Sequence, residues 1–263
     1  MPGNTSQFIK WNRDTPFSER FVCFTNEKII DDDRFLVAKE RRIALLYESR
    51  DTMNWLYEQS QNCISDYYLF FTHEKKLLDS FSITRWIPGN GIWIGNSYGG
   101  GERTISQKDR MMSFVTSSKE TTPLQRFRVM LAKELQKDGK HEIDVYLRSN
   151  FAFDYLPINL CLQRYRFSIV IENTQSPLYF TEKLLNCFAT GTIPIYFGAT
   201  GINRFFDANG IITFSSRKQL IHEILPNLST DLYASKLSSI NTNFTLSTTY
   251  ESIEKVIATH LKV

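Results

Sequence analysis

Residues 167–198 read FSIVIENTQSPLYFTEKLLNCFATGTIPIYFG, and this stretch decides the fold. The apolar run at 167–171 predicts a buried strand, and the run Ile193–Phe197 predicts another. Between them, residues 181–190 predict a helix that Gly191 is suited to end. A strand, a helix and a second strand in this order indicate a parallel pair joined by a helical crossover.

The same alternation extends in both directions along the chain. Apolar runs at residues 43–47 and 67–71 predict strands in the first part, and 92–94 predicts a further short strand. The Gly-rich loop around 98–101 suggests a boundary between an N-terminal unit, 1–108, and a C-terminal unit, 109–263. We therefore expect an α/β protein of two facing, Rossmann-like doubly wound domains, with ligands bound in the cleft at the strands' carboxyl ends.

The start of the predicted helix is a candidate anion site. Thr181 is a good N-cap, and the helix N-terminus presents N–H groups to a phosphate. Lys183 could neutralise a phosphate charge, Glu182 could accept hydrogen bonds from ribose hydroxyls, and Tyr179 could stack there. The alternative is a capped helix with a surface Glu and Lys, and the residues by themselves leave both interpretations open.

A resemblance to a known family favours the first interpretation. The segments 172–175 (ENTQ), Tyr179, 181–183 (TEK) and 191–198 (GTIPIYFG) resemble the signature of the α-1,3/4-fucosyltransferases, glycosyltransferase family 10. The chain looks like a compact, soluble member. The resemblance implies a GT-B-like fold, inverting transfer of L-fucose from GDP-fucose to a glycan hydroxyl, and no obligatory metal or other cofactor. It assigns donor binding to six residues: Glu172, Asn173, Tyr179, Thr181, Glu182 and Lys183.

A weaker similarity adds an arginine. Residues 117–119 (SSK), followed by Arg128 with Leu131 and Leu135 at helical spacing, resemble the family's strand end and the arginine-bearing helix after it. The family's arginine contacts the donor diphosphate, and that role is carried to Arg128. Arg126 is a competing candidate, and a solvated helix arginine is the plain alternative.

The first strong strand supplies the predicted catalytic carboxylate. Residues 43–49 (IALLYES) resemble the family's strand that ends in such a group, so Glu48 matches the general base that inverting transfer requires. An exposed loop glutamate is the alternative. His73 follows the next predicted strand, but a lone histidine is more often structural and is not included in the catalytic set.

Composition excludes several other classes. The net charge of +3 and the scattered basic residues argue against a nucleic-acid partner. No apolar run is long enough for a signal peptide or a transmembrane segment. Four cysteines without a metal or disulfide spacing suggest free thiols in a reducing compartment. We therefore expect a cytoplasmic enzyme of a bacterium or a virus, or alternatively a trimmed Golgi luminal domain.

Two alternatives to fucosyl transfer remain open at this level. The segment 172–198 that resembles the family is expected to bind the nucleotide and its phosphates, and not the sugar. A divergent member could therefore transfer another sugar, such as xylose from a UDP- or GDP-sugar. A non-catalytic protein that binds sugar nucleotides or glycans could use the same scaffold. The expected partners are a sugar nucleotide and an oligosaccharide acceptor, whose identity and linkage are open, as is the oligomeric state.

Overall fold

The computed structural model describes residues 7–9, 11, 20–148 and 157–261, and its strands form two parallel sheets. The first sheet has four strands, which lie side by side in chain order: β1 (Val22–Thr25), β2 (Arg42–Leu46), β3 (Leu69–Thr72) and β4 (Thr84–Trp86). The second has five strands, which lie in the spatial order β6 (Ile143–Arg148), β5 (Arg110–Ser117), β7 (Tyr165–Ile171), β8 (Ile193–Phe197) and β9 (Ile212–Thr213).

Helices connect and cover these strands. Those of the first half are α1 (Asn54–Ser60) and α2 (Lys75–Ser80). Those of the second half are α3 (Pro123–Asp138), α4 (Ile158–Leu162), α5 (Glu182–Thr190), α6 (Arg217–Gln219), α7 (Thr230–Ser235), α8 (Leu237–Leu246) and α9 (Ile253–Ala258). A π-helical turn, Leu220–Ile224, extends α6. The expected α/β architecture is therefore present, with every observed strand pair parallel.

The second sheet is apolar along its central strands because helices cover both faces. One face packs Phe114 and Phe167 against Leu131 of α3. The other face packs Val170 against Leu184 of α5, within a core that also contains α4. Strands β7 and β8 are therefore buried on both sides; β8 (IPIYF) is a continuous apolar run, and β7 (YRFSIVI) is apolar apart from Arg166 and Ser168.

Local sequence fixes where the long helix α3 begins and ends. Thr122 accepts a hydrogen bond from the backbone N–H of Gln125, whose side chain accepts one from the Thr122 N–H in return, so the pair forms a capping box. Pro123 occupies the first turn, where its missing N–H costs nothing. Gly139 ends the helix at φ +59°, a left-handed conformation that favours glycine.

The C-terminal helix returns to the first sheet. Ile253 and Ile257 of α9 are buried against Ile43 of β2 and Phe71 of β3. The second half of the chain thus supplies one covering layer of the first sheet. The division into units 1–108 and 109–263 stays a prediction.

An aromatic cluster joins the two halves. Trp86 of β4 lies 5.4 Å from Phe180 and 4.7 Å from Phe205, measured between ring centroids, and Tyr250 packs edge-on against it. The indole Nε1 of Trp86 also donates to the carbonyl oxygen of Leu178, at 3.1 Å. These contacts hold β4 against the segment that precedes α5.

The prediction of a short strand at residues 92–94 is wrong. Instead of joining a sheet, the Ile92 N–H donates to the carbonyl oxygen of Glu251, and the N–H groups of Trp93 and Ile94 both donate to the side-chain oxygen of Asn186. The apolar pattern arises because this segment is buried between the two halves, where its backbone finds other partners. No helix in the described part of the chain is long and apolar enough to cross a membrane.

Candidate active site

Strand ends from both sheets border a cavity of about 680 Å³. Glu48 follows β2 by two residues, Ser117 ends β5, and Asn173 follows β7 by two residues, and all three line the cavity. The chain leaves β5 towards β6 on one side and β7 towards β8 on the other. The cavity therefore lies at a topological switch point, where open α/β sheets bind their ligands.

The structure separates the eight predicted site residues into two groups. Those that line the cavity are Glu48, Arg128, Asn173, Glu182 and Lys183. Those buried outside its lining are Glu172, Tyr179 and Thr181. The first group comes from both halves of the chain, so the fold brings together residues that lie far apart in sequence. Their roles stay predictions.

Glu172 anchors the start of α5. Its carboxylate is fully buried and accepts hydrogen bonds from the Thr181 backbone N–H at 2.9 Å and the Thr181 hydroxyl at 2.8 Å. Thr181 in turn caps the helix by accepting from the Lys183 N–H. Burial raises the pKa of Glu172, an effect that the nearby ammonium of Lys183 opposes. These contacts assign Glu172 and Thr181 to holding the helix end in place.

Two cations border the cavity. The ammonium of Lys183 lies 3.0 Å from the Glu182 carboxylate and 3.7 Å from that of Glu172. Burial lowers the pKa of Lys183, but the two carboxylates outweigh it and the net shift is upward, so this lysine is charged. Arg128 is 4% exposed and donates from Nη1 to the carbonyl oxygen of Ile171. Burial lowers the Arg128 pKa, but a guanidinium keeps its proton in proteins.

Arg128 has a hydrogen-bond donor that its described neighbours do not use. Its Nε is buried and has no hydrogen-bond partner within the described ranges. A buried donor without a partner is costly, so a binding partner from the cavity would relieve that cost. Arg126, the competing candidate, instead donates to the backbone oxygens of Glu120 and Thr121 and is exposed. The geometry thus favours Arg128 over Arg126 as the residue that faces a ligand.

Glu48 reaches the cavity from the first sheet. Its side chain is partly buried, and Oε1 accepts a hydrogen bond from the N–H of Ser49 at 2.8 Å. Ser49 is itself buried, with its hydroxyl 2.6 Å from that of Thr52. Glu48 is therefore an ordered carboxylate at the cavity wall, and the alternative of a freely exposed loop glutamate does not describe it.

Tyr179 lies behind the cavity. It is 2% exposed, and its ring centroid is 4.4 Å from that of His73. Gly89 packs directly against the ring, since a Cβ built at Gly89 would lie 2.6 Å from Tyr179 Cε2. Tyr179 is thus a packing residue between the two halves in this structure, and its ring is not presented to a ligand.

Motif spacing does not identify Asn186, a further residue of the candidate site. It is 2% exposed, lines the cavity, and accepts the N–H groups of Trp93 and Ile94. Trp93 also lines the cavity, so Asn186 ties one wall to helix α5. An asparagine on the otherwise apolar buried face of α5 is the signal that could have identified it, because a buried amide requires partners.

The side chains that commonly bind metals are dispersed over the described chain. Within residues 7–9, 11, 20–148 and 157–261, no three His, Cys, Asp or Glu side chains are arranged to hold a metal ion. The metal-independent mechanism implied by the family resemblance stays a prediction.

Comparison with known proteins identifies the family. Residues 105–239, just over half of the chain, match the family model described as glycosyltransferase family 10 (fucosyltransferase) C-term. The chain belongs to glycosyltransferase family 10. This match includes the whole segment 172–198, and it confirms the resemblance inferred from the sequence.

Individual relatives of this family 10 chain match over shorter stretches. An alpha-(1,4)-fucosyltransferase of Arabidopsis thaliana is 35% identical over 69 residues, which are 25% of this chain and 17% of the relative. The alpha-(1,3)-fucosyltransferase FucT of Helicobacter pylori is 30% identical over 66 residues, 25% of this chain and 14% of the relative. The chain thus aligns with less than a fifth of the length of either curated relative.

Structural similarity extends over more of the family 10 chain. A crystal structure of an alpha1,3-fucosyltransferase superimposes with a TM-score of 0.54 at 15% identity, covering 88% of this chain and 78% of that one. At this identity the likeness concerns the fold alone. It confirms the expected GT-B-like arrangement of two α/β sheets with helices.

Proposed function

We propose that this chain is an inverting glycosyltransferase that transfers L-fucose from GDP-fucose to a hydroxyl group of a glycan. One observation carries the proposal: Glu48 from the first sheet and the cations Arg128 and Lys183 from the second line the same cavity. Family membership and the names of the curated relatives support fucose as the transferred sugar.

The proposed reaction assigns a role to each side of the cavity. Glu48 takes the proton from the acceptor hydroxyl as that oxygen attacks the anomeric carbon of the sugar. A new carbon–oxygen bond forms on one face of the sugar while the bond to the diphosphate breaks on the other. Arg128 and Lys183 stabilise the charge that accumulates on the departing diphosphate.

The remaining cavity residues have supporting roles in this proposal. Glu182 accepts hydrogen bonds from ribose hydroxyls. When the donor binds, the ammonium of Lys183 exchanges its contact with Glu182 for one with the diphosphate. Asn173 offers a side-chain amide at the end of β7, while its backbone oxygen is held by the Thr122 hydroxyl at 3.2 Å. Glu172 and Thr181 hold the N-terminus of α5 at the position where it would meet the diphosphate.

A panel of radiolabelled sugar nucleotides tests the proposal. GDP-fucose, UDP-xylose, GDP-mannose and UDP-galactose are each incubated with the protein and a mixed oligosaccharide acceptor, and binding, slow hydrolysis and transfer are scored separately. We expect turnover with GDP-fucose and inverted configuration in the product. Turnover of UDP-xylose and of no other donor would show that the chain transfers xylose and not fucose. Tight binding without hydrolysis or transfer would instead indicate a non-catalytic binding protein. The cytoplasmic location stays a prediction.

A further inference from the structure

The backbone carbonyl of Glu48 accepts hydrogen bonds from two buried side chains. The hydroxyl of Tyr57, on α1, donates to this oxygen, and His73 Nε2, just after β3, lies 3.1 Å from it. The same Nε2 is 2.8 Å from the Tyr57 hydroxyl oxygen, so the three groups form a closed triangle. Side chains from two separate segments of the first half thus converge on one main-chain atom.

The direction of each hydrogen bond follows from the chemistry of the groups. A carbonyl oxygen only accepts, so His73 Nε2 carries a hydrogen, and the single hydroxyl proton of Tyr57 points to the same oxygen. Burial lowers the pKa of His73 to about 4 and raises that of Tyr57 well above its usual range. Both side chains are therefore neutral donors throughout the neutral pH range.

The position of the Glu48 main chain also determines where the Glu48 carboxylate lies. Glu48 Oε1 accepts from the N–H of the next residue, Ser49, so the carboxylate lies against the same turn whose carbonyl oxygen accepts from Tyr57 and His73. A shift of the Glu48 main chain would move the carboxylate with it. The backbone contacts are in this way transmitted to the acidic group at the cavity wall.

The ring of His73 packs against a residue from the second half of the chain, which forms the proposed binding site for the sugar-nucleotide donor. The ring of Tyr179, two residues before the N-cap of α5, lies against it with centroids 4.4 Å apart. The other ring nitrogen, Nδ1, is buried without a hydrogen-bond partner in the described part of the chain. A histidine kept in a site that leaves one nitrogen unsatisfied calls for a reason beyond packing, because an apolar residue would avoid that cost.

We propose that Tyr57 and His73 are positioning residues that fix the main chain at Glu48 and so aim its carboxylate at the acceptor hydroxyl. This inference rests on the proposed role of Glu48 as the base. Neither residue lines the cavity, so each acts through Glu48 and not on the substrate. Their loss would therefore affect the chemical step more than donor binding.

The decisive comparison uses two matched tyrosine variants. Tyr57→Phe removes the hydroxyl that donates to Glu48, and Tyr67→Phe removes an equally buried hydroxyl that donates to the Ile29 carbonyl oxygen at 2.6 Å. We expect Tyr57→Phe to lower kcat by roughly 10- to 100-fold, the scale of a small misplacement of a catalytic group. The Kd for GDP should stay within about twofold, since catalysis and donor binding depend on different contacts. Tyr67→Phe should lose about as much thermal stability as Tyr57→Phe but keep the wild-type kcat.

A second pair tests His73 by rescue. His73→Gln retains an N–H donor at a similar reach, whereas His73→Leu keeps the volume without a donor. The inference predicts that His73→Gln keeps more kcat than His73→Leu at equal GDP affinity. In a Glu48→Gln background, Tyr57→Phe should cause no further loss of residual turnover, because both changes act on one group.

The outcomes separate this inference from the proposed function. Equal kcat for Tyr57→Phe and Tyr67→Phe, in an active protein that Glu48→Gln inactivates, would overturn the positioning role alone. An additive loss in the Glu48→Gln background would also overturn it. A wild-type protein without any turnover would overturn the proposed function and this inference together.

Discussion

The ammonium of Lys108 lies 2.6 Å from the carbonyl oxygen of Thr190, the last residue of helix α5. Lys108 is 7% exposed and also donates to the carbonyl oxygen of Gln163 and to the Thr192 hydroxyl. Three acceptors, one of them in the last residue of α5, therefore meet one lysine at the C-terminal end of this helix, whose N-terminus borders the candidate site. A lysine suits this place because helix C-termini carry partial negative charge.

This lysine predicts a pH-dependent stability. Burial lowers the pKa of Lys108 to about 7, well below its value in an unfolded chain, so between pH 7 and about 10 the unfolded state binds more protons. The Lys108 contribution to the free energy of unfolding should then rise with pH, by on the order of 1 kcal/mol per unit. Cys187 contributes in the opposite direction, because burial raises its pKa to about 12 and the thiol therefore loses its proton at lower pH in the unfolded chain than in the folded one.

Urea denaturation at pH 7, 8 and 9 measures this effect. The stability of wild type relative to Lys108→Met should increase with pH, whereas its stability relative to Lys76→Met, which removes an exposed lysine from the first half of the chain, should not change with pH. Parallel pH dependence in wild type and Lys108→Met would show that Lys108 remains charged and contributes no such effect.

Replacement of the proposed base should separate catalysis from binding. Glu48→Gln keeps the size of the side chain and an oxygen that can accept from Ser49, but it cannot take a proton. Transfer should fall by about 10²- to 10⁴-fold, the usual contribution of general base catalysis. GDP affinity, measured by calorimetry, should remain unchanged. Glu58→Gln, an exposed carboxylate on α1, serves as the control, and near-normal turnover in Glu48→Gln would remove Glu48 as base.

Loss of the cavity lysine should weaken donor binding. Lys183→Ala removes the charge that we assign to the diphosphate, at an expected cost of about 1.5–3 kcal/mol in GDP binding. The comparison variant is Lys133→Ala, since Lys133 is exposed on α3 and lies outside the cavity lining. The difference between the two variants should shrink as salt is added, because the interaction is between charges. Unchanged GDP affinity in Lys183→Ala would assign this lysine to pairing with the Glu182 and Glu172 carboxylates and not to donor binding.

The fold was predictable where apolar runs are long and was missed where they are short. Strands β7 and β8 are predominantly apolar segments, and their positions follow from the sequence. Strands β1 and β4 have only four and three residues, and β4 reads TRW, which shows no apolar pattern. Helix α8 (LSSINTNFTL) has weak helical periodicity, and it owes its place to packing against α5 and the turn before β9.

The candidate site was predictable as a list of residues but not as an arrangement. Motif spacing identifies Glu172 and Thr181 equally with Glu182 and Lys183, because all four are polar residues between the end of β7 and the first turn of α5. Only the three-dimensional structure shows that the first two turn inward to hold the helix and that the last two face the cavity. Sequence cannot distinguish a polar group that stabilises a loop from one that awaits a ligand, since both are satisfied by hydrogen bonds.

The different contacts of Glu172 and Glu182 predict different effects when each is replaced by alanine. Glu172→Ala leaves the backbone N–H and hydroxyl of Thr181 without their buried acceptor, so the free energy of unfolding should fall by about 1–3 kcal/mol. Glu182→Ala removes a carboxylate that pairs with Lys183 at the cavity wall, so stability should change little while GDP affinity falls. Urea denaturation and calorimetry on both variants measure the two effects separately. A reversed pattern, with Glu182→Ala the less stable variant and Glu172→Ala the weaker binder at unchanged stability, would exchange the two roles.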